Sequence, residues 1–293
     1  MKPPAFLYHD PRSIDEAVAL LARLDNARLL AGGQSLMPML NMRYVLPDHI
    51  IDLNRIEALA GVRQIGETLR IGAMTRQRDI AEHPLVRSRL PLMVEALGHV
   101  GHRQTRNRGT IGGSLCHLDP AAELVAVAAN LDATIEIVGP KGARLLPMAE
   151  FALGFMTPAI APDEMVAAVN LPLPAARHGY AFLEMARRHG DFAIVAVAVV
   201  LTLDPAGRIA TCAITLGGAA AVPRRMAEAE TMLRGAAPDA LLFGRAAATA
   251  RAVDALEDAQ VPGWYRRQVA ETLIERALAT AHRRAVAANG MAS

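Results

Sequence analysis

Apolar positions recur along the chain with two different periods, and each change of period marks an element. Ile14, Val18, Leu21 and Leu24 recur at helical spacing behind Ser13-Ile14-Asp15-Glu16, a capping-box pattern, and predict a helix that ends near Asp25-Asn26. A strand over 28–30 follows, and Ile50-Ile51-Asp52-Leu53 reads as another, so the opening stretch is a small β-α-β unit. Residues 62–71 read as a hairpin turning at Gly66-Glu67. Leu85, Leu92, Met93, Ala96 and Leu97 predict a helix over 84–100, and a shorter apolar one covers 123–129. A strand over 132–138 closes at Gly139-Pro140-Lys141-Gly142, and one over 163–171 is halted by Pro172 and Pro174.

Beyond Ala175 the pattern changes. Segments 180–187, 192–203 and 208–216, the last two joined by Asp204-Pro205-Ala206-Gly207, predict an antiparallel meander with a buried face. Helices are predicted over 226–234, 241–255 and 264–285. In the last, Tyr265, Val269, Leu273 and Ala277 form a stripe suited to packing on the meander. The pattern divides the chain into units 1–58, 59–175 and 176–293, with no internal repeat.

Composition narrows the function. A net charge of +2, with Lys and Arg scattered, makes no case for nucleic acid or an anionic membrane. A charged content of 20% fits a subunit that buries surface against partners. Cys116 and Cys212 stand in no CxxC pattern, which argues against an iron–sulfur cluster or Cys-rich zinc site held by this chain alone and favours a reduced, cytoplasmic setting. Met1-Lys2-Pro3-Pro4 leads into no apolar signal segment, and the apolar run 192–203 is too short to span a bilayer. HExxH and GxSxG are missing, as is any carboxylate pair whose spacing demands acid–base work, which agrees with chemistry that belongs to a cofactor.

Two glycine motifs carry the candidate chemistry. Leu30-Ala31-Gly32-Gly33-Gln34-Ser35-Leu36 ends an apolar run in paired glycines, where backbone amides without a Cβ beside them can approach an anion such as a diphosphate. Ser35 and Gln34 add a hydroxyl and an amide. Gly109-Thr110-Ile111-Gly112-Gly113-Ser114 repeats the pattern about eighty residues later. Neither has the GxGxxG or GxxxxGK[ST] spacing. Two such loops suit a long ligand with a diphosphate in its middle.

AGGQSL, HVGHRQTRNRGTIGGS and FLEMARRHGDFAIV, in that order, resemble the FAD-binding medium subunit of molybdenum hydroxylases, the xanthine dehydrogenase and carbon monoxide dehydrogenase family. The resemblance runs from Phe6 to the C-terminal helices. It implies an α+β fold: a vanillyl-alcohol-oxidase-type (PCMH-like) FAD-binding unit of two subdomains, then a C-terminal α+β domain with antiparallel sheet and helices. It implies FAD on this chain, molybdenum cofactor and [2Fe-2S] clusters on large and small partner subunits in a dimer of heterotrimers, and an external electron acceptor. Residue by residue, it places the cofactor on both glycine motifs, on Val100, His117 and Val166, and on Glu123, at the ribityl–phosphate region. Cys116 and His117 would lie near the isoalloxazine edge, and Phe192 would cover one ring face. It assigns no catalytic side chain.

Read from the residues alone, Glu123 is equally a helix N-terminal acid, Phe192 the start of a core strand, and Cys116 a small buried residue. Arg187 and Asp191 pair with each other or with a partner subunit. A free-standing FAD-dependent oxidase or reductase on the same fold is the alternative. Covalent oxidases of that kind often carry a histidine near the first loop; here Gln34 stands in it, and the nearest histidines are His9 and His49.

Overall fold

The computed structural model describes residues 2–290; Met1 and 291–293, the outer ends of the first and last predicted units, lie outside the described residues. The chain builds three main sheets. The first is parallel, with His49–Asp52 between Leu7–His9 and Ala27–Leu30. Helix Ile14–Arg23 covers it. Ser13 Oγ accepts from the Glu16 amide at 3.1 Å, while the Glu16 carboxylate accepts from the Arg12 amide at 2.8 Å, so the predicted cap forms. Ala17 and Leu21 of the helix pack with Ile51, Leu53 and Ile56.

Leu53 does not extend the strand as expected. Asp52 accepts the Asn54 amide at 2.9 Å and turns the chain into a 3-10 segment, Leu53–Arg55. The sequence pattern also missed a short helix, Leu36–Asn41, directly after the first glycine pair. Its Pro38 sits in the first turn, where a backbone N–H has no helical partner to lose.

The second sheet is antiparallel, ordered Val62–Ile65, Thr68–Gly72, Met165–Pro172, Thr134–Gly139, Gly142–Pro147. Gly66 (φ +57°) and Gly142 (φ +105°) supply the left-handed residues its two hairpins need. The helix expected over 84–100 is two: Pro84–Arg89 and Pro91–His99, parted at Leu90 (φ −131°, ψ 56°). The Pro91 ring excludes the helical conformation from the residue before it.

The third sheet is antiparallel, ordered His178–Met185, Val195–Leu203, Ile209–Gly217, Arg224–Arg225. Both faces of its central strand are covered, not one. Val195, Val197, Val199 and Leu201 face the helices Ala227–Leu233, Ala240–Ala248 and Gly263–Gly290, while Ala196, Ala198 and Val200 join the core of the preceding unit. That double burial is why the segment reads as an unbroken apolar run. The strand starts at Val195, so Phe192 lies in the connection before it. The helix expected to reach 255 ends at Ala248 and tightens into Thr249–Ala252.

Helix Gly263–Gly290 ties the third sheet to the second unit. A Cβ on Gly179 would lie 1.7 Å from the Ala281 carbonyl, so only glycine admits this approach. Arg284 grips Glu95 through two contacts, 2.7 and 3.0 Å, and donates to the Tyr180 carbonyl at 2.8 Å. The same carboxylate accepts the Phe182 amide at 2.9 Å. Asn130, buried between the units, donates to the Ala198 and Ala213 carbonyls at 3.0 and 3.2 Å.

Candidate functional site

The first glycine motif leaves strand Ala27–Leu30 and turns through Gly33, whose φ of +74° is a left-handed value costly for any residue with a Cβ. Among the described residues no hydrogen bond engages the amides of Gly33, Gln34 or Ser35. The Ser35 hydroxyl makes no cap bond to the helix that follows, and Gln34 is exposed, its amide nitrogen 3.4 Å from the Gly32 carbonyl. Leu30, Ala31 and Leu36 are half-buried around the turn. Successive unengaged amides beside a hydroxyl fit an anion such as a diphosphate.

The second motif is not a loop. Thr110 caps helix Ile111–His117 by accepting the Gly113 amide at 3.1 Å, so both glycines lie in the first helical turn. The amides of Ile111 and Gly112 are also engaged, by the Thr75 and Ala73 carbonyls at 3.3 and 2.9 Å. Thr110, Ile111 and Gly112 are buried under the helix. Gly113, Ser114 and His117 share its more open side, as the spacing of three and four residues requires. Cys116 is turned inward; its sulfur contacts the Val166 backbone, and burial pushes the thiol up to about 12. Val166 itself is buried beside a register shift in strand Met165–Pro172.

The two motifs meet. A Cβ on Gly32 would lie 2.3 Å from the Arg108 carbonyl oxygen and 2.8 Å from Gly109 Cα, and one on Gly113 would lie 3.6 Å from Ala31 Cβ. Buried Gly109 is held from below, its carbonyl accepting the Gln77 amide at 2.9 Å. Gly32 therefore packs on the backbone that leads into the second helix, and Ala31 lies beside Gly113.

Glu123 opens helix Glu123–Asn130 and is only 9% exposed. Burial pushes its carboxyl up to about 7, with Asp119 adding to the rise, while its own backbone and Arg106 oppose it. A second acid, absent from the sequence-based set, is Glu184 on strand His178–Met185. Burial, then the nearby charge of Glu123, raises it to about 8, and its Oε2 has no hydrogen-bond partner. A signal for it existed: Glu184 occupies the period-two face otherwise held by Tyr180 and Phe182, which pack on the second unit's core. Two carboxyls raised in this way take up a proton more readily than free ones, and a protonated carboxyl donates as well as accepts.

Val100, at 9% exposure, ends helix Pro91–His99, and its carbonyl accepts from Arg106 at 2.8 Å. His99 lies beside the Phe182 ring, 5.6 Å between centroids, and burial followed by His189 makes it harder to protonate. Burial does the same to His117. The segment 187–192 folds back onto this corner: Gly190 (φ +87°) lies so close to His102 that a Cβ would meet its ring at 2.8 Å. Phe192 is 75% exposed at the end of that bend, so it does not begin a core strand. Among the described residues neither Arg187 nor Asp191 forms an ion pair.

Three main sheets, the last an antiparallel C-terminal one packed with helices, define the fold, and comparison with known proteins names the class. Residues 4–174 match the FAD binding domain in molybdopterin dehydrogenase, and residues 180–281 match the CO dehydrogenase flavoprotein C-terminal domain. The chain belongs to this family of flavin-binding dehydrogenase subunits. Particular relatives include the 6-hydroxypseudooxynicotine dehydrogenase complex subunit alpha of Paenarthrobacter nicotinovorans, 39% identical over 97% of each chain. The carbon monoxide dehydrogenase medium chain of Afipia carboxidovorans is 38% identical, covering 97% of this chain and 99% of its own. A solved carbon monoxide dehydrogenase chain from Hydrogenophaga pseudoflava superimposes with a TM-score of 0.94 at 38% identity, over 97% of this chain and 99% of that one.

Proposed function

We propose that this chain is the FAD-binding electron-transfer subunit of a heterotrimeric molybdenum hydroxylase. The observation that carries the reading is the meeting of the two glycine motifs, Gly32 against the Arg108–Gly109 backbone and Gly113 beside Ala31, next to the unengaged amides of 33–35. FAD, when bound, supplies the redox chemistry, accepting electrons from iron–sulfur clusters and delivering them to an external acceptor. The first motif would hold the diphosphate through amides and the Ser35 hydroxyl. Gly113 and Ser114 would leave room for its close approach, and Glu123 would meet ribityl hydroxyls. Val100, His117 and Phe192 would border the ring, with Phe192 limiting water and oxygen on one face.

The other redox centres belong on partners. Cys116 and Cys212 sit in separate cores, and burial raises each thiol to about 12, unlike the thiolates that ligate iron. Relatives bear the names "medium chain" and "complex subunit", which supports a large molybdenum subunit and a small iron–sulfur subunit beside this chain. We place them in a dimer of heterotrimers in the cytoplasm. No helix among the described residues is long and apolar enough to cross a membrane.

Anaerobic mixing tests the reading. The lone chain loaded with FAD should bleach near about 450 nm with dithionite, yet stay yellow with carbon monoxide, purines, N-heterocycles or aldehydes until both partners are added. Bleaching by one of these substrates at catalytic rates without partners would overturn it in favour of a free-standing oxidase. The cofactor is expected to be held without a covalent bond, since no His or Cys stands in the first turn. Acid precipitation should then leave all flavin in the supernatant.

A further inference from the structure

A chain of four groups links the two glycine motifs from behind. The Ala31 carbonyl accepts Asn54 Nδ2 at 3.0 Å. Asn54 is itself fixed by Asp52, whose carboxylate accepts its amide at 2.9 Å. Its Oδ1 accepts from one nitrogen of the Arg76 guanidinium, and another nitrogen of that guanidinium donates to the Arg108 carbonyl. This carbonyl is the atom against which Gly32 packs. The Arg76 backbone also bridges to Thr110, and the next residue, Gln77, binds Gly109. Arg76 forms no ion pair among the described residues. Its donors serve an amide oxygen of the first unit and a carbonyl of the second.

We infer that Arg76, acting through Asn54, is a positioning residue that sets the separation of the two motifs and thereby the affinity for a diphosphate-bearing ligand. The inference rests on the FAD reading above. A planar fork with fixed donor directions can span two acceptors, whereas an ammonium is a single point of charge on a flexible stem. The guanidinium borders a cavity of about 350 Å³, shared with Asn54, Thr75 and Met74, so a shorter side chain there meets space and not a clash.

The test uses the full chain, freed of flavin, with Arg76→Lys, Arg76→Gln and Asn54→Ala. FAD and ADP binding are titrated, and amide hydrogen exchange is followed over 31–36 and 108–114 without ligand. Arg76→Gln should weaken FAD and ADP by a similar factor, about tenfold or more, the scale of one hydrogen bond to a charged group. Arg76→Lys should lose nearly as much although it keeps the charge, and exchange should quicken in both segments together while 263–290 stays protected. Asn54→Ala, which leaves the guanidinium in place, should show the same pattern more weakly and serves if an Arg76 variant does not fold. Wild-type affinity in Arg76→Lys, or unchanged exchange in either segment, would overturn the inference. Failure of the wild-type chain to bind either ligand would instead sink the flavin reading, and the exchange data would still judge the clamp.

Discussion

The two glycine motifs share a written pattern, paired glycines followed by a serine after an apolar approach, yet they are different objects. The first is an open turn whose amides at 33–35 are unengaged, and the second is a helix start whose first three amides are already engaged. Their glycines differ accordingly. Gly32 and Gly112 are glycines of approach: a Cβ would strike Arg108 backbone at 2.3 Å in one case and Ala73 Cβ at 2.6 Å in the other. Gly33 is a glycine of conformation, and Gly113 is a glycine that keeps an accessible helix face bare. On the proposed reading, one motif would supply donors and the other clearance.

Substitutions can break this contrast. The largest effect should come from Gly32→Ala, because backbone must yield on both sides; we expect a loss of about 3 kcal/mol in chemical unfolding, at the upper end of overpacking costs. Gly33→Ala should cost roughly 1–2 kcal/mol through its left-handed φ, with FAD affinity falling alongside stability. Thr110→Ala should remove about 1 kcal/mol, the worth of a helix cap, and equal effects at Ser35→Ala would refute the claim that only the second motif is a capped helix start.

Charge also marks the region beyond the second motif, where buried Glu123 opens the next helix and half-buried Glu184 lies near it. Both carboxyls are raised in the folded chain, so their neutral forms stabilise it. That contribution is fully present below about 4.5, the ordinary carboxyl value, and is lost as pH rises through about 7 to 8. Glu184→Gln should therefore lift the melting temperature at pH 8 by about 2 °C and leave it unchanged at pH 4, the gain held down by partial solvent screening. Equal shifts at both pH values would sink this assignment. The smallest stability change belongs to Gly113→Ala. Its Cβ would displace the Thr110 hydroxyl, 2.9 Å away, but alanine favours the helix by about as much as the cap is worth. FAD titration should nonetheless show weaker binding, and undiminished affinity would remove Gly113 from the clasp.

Much of this was legible in the chain. The cap at Ser13, the turn at Gly66 and the pairing of glycine motifs all rest on local chemistry that survives folding. The second motif read as a loop because glycine is a poor helix former, and the capping role of Thr110 was hidden by the two glycines after it. The break at Leu90 was readable from Pro91, and the helical apolar face on both sides masked it. Phe192 extended an apolar run in the text, while Gly190 and Asp191 bend the chain just ahead of it. Glu184 showed only its place on the period-two face of Tyr180 and Phe182, and the Asn54–Arg76 link has no local pattern at all; both acquire meaning only when strands and turns far apart in sequence come together.

The grip of Arg284 on Glu95 has a consequence for biosynthesis. The two residues stand 189 positions apart, and at about 5–20 residues per second a ribosome needs roughly 10–40 s to supply the arginine after the glutamate. The Phe182 amide, 87 positions after Glu95, is available well within that interval, so what the nascent chain lacks to its end is the arginine half of the grip. The helix made last therefore closes a carboxylate laid down early, and joins the two halves of the chain across that interval of synthesis.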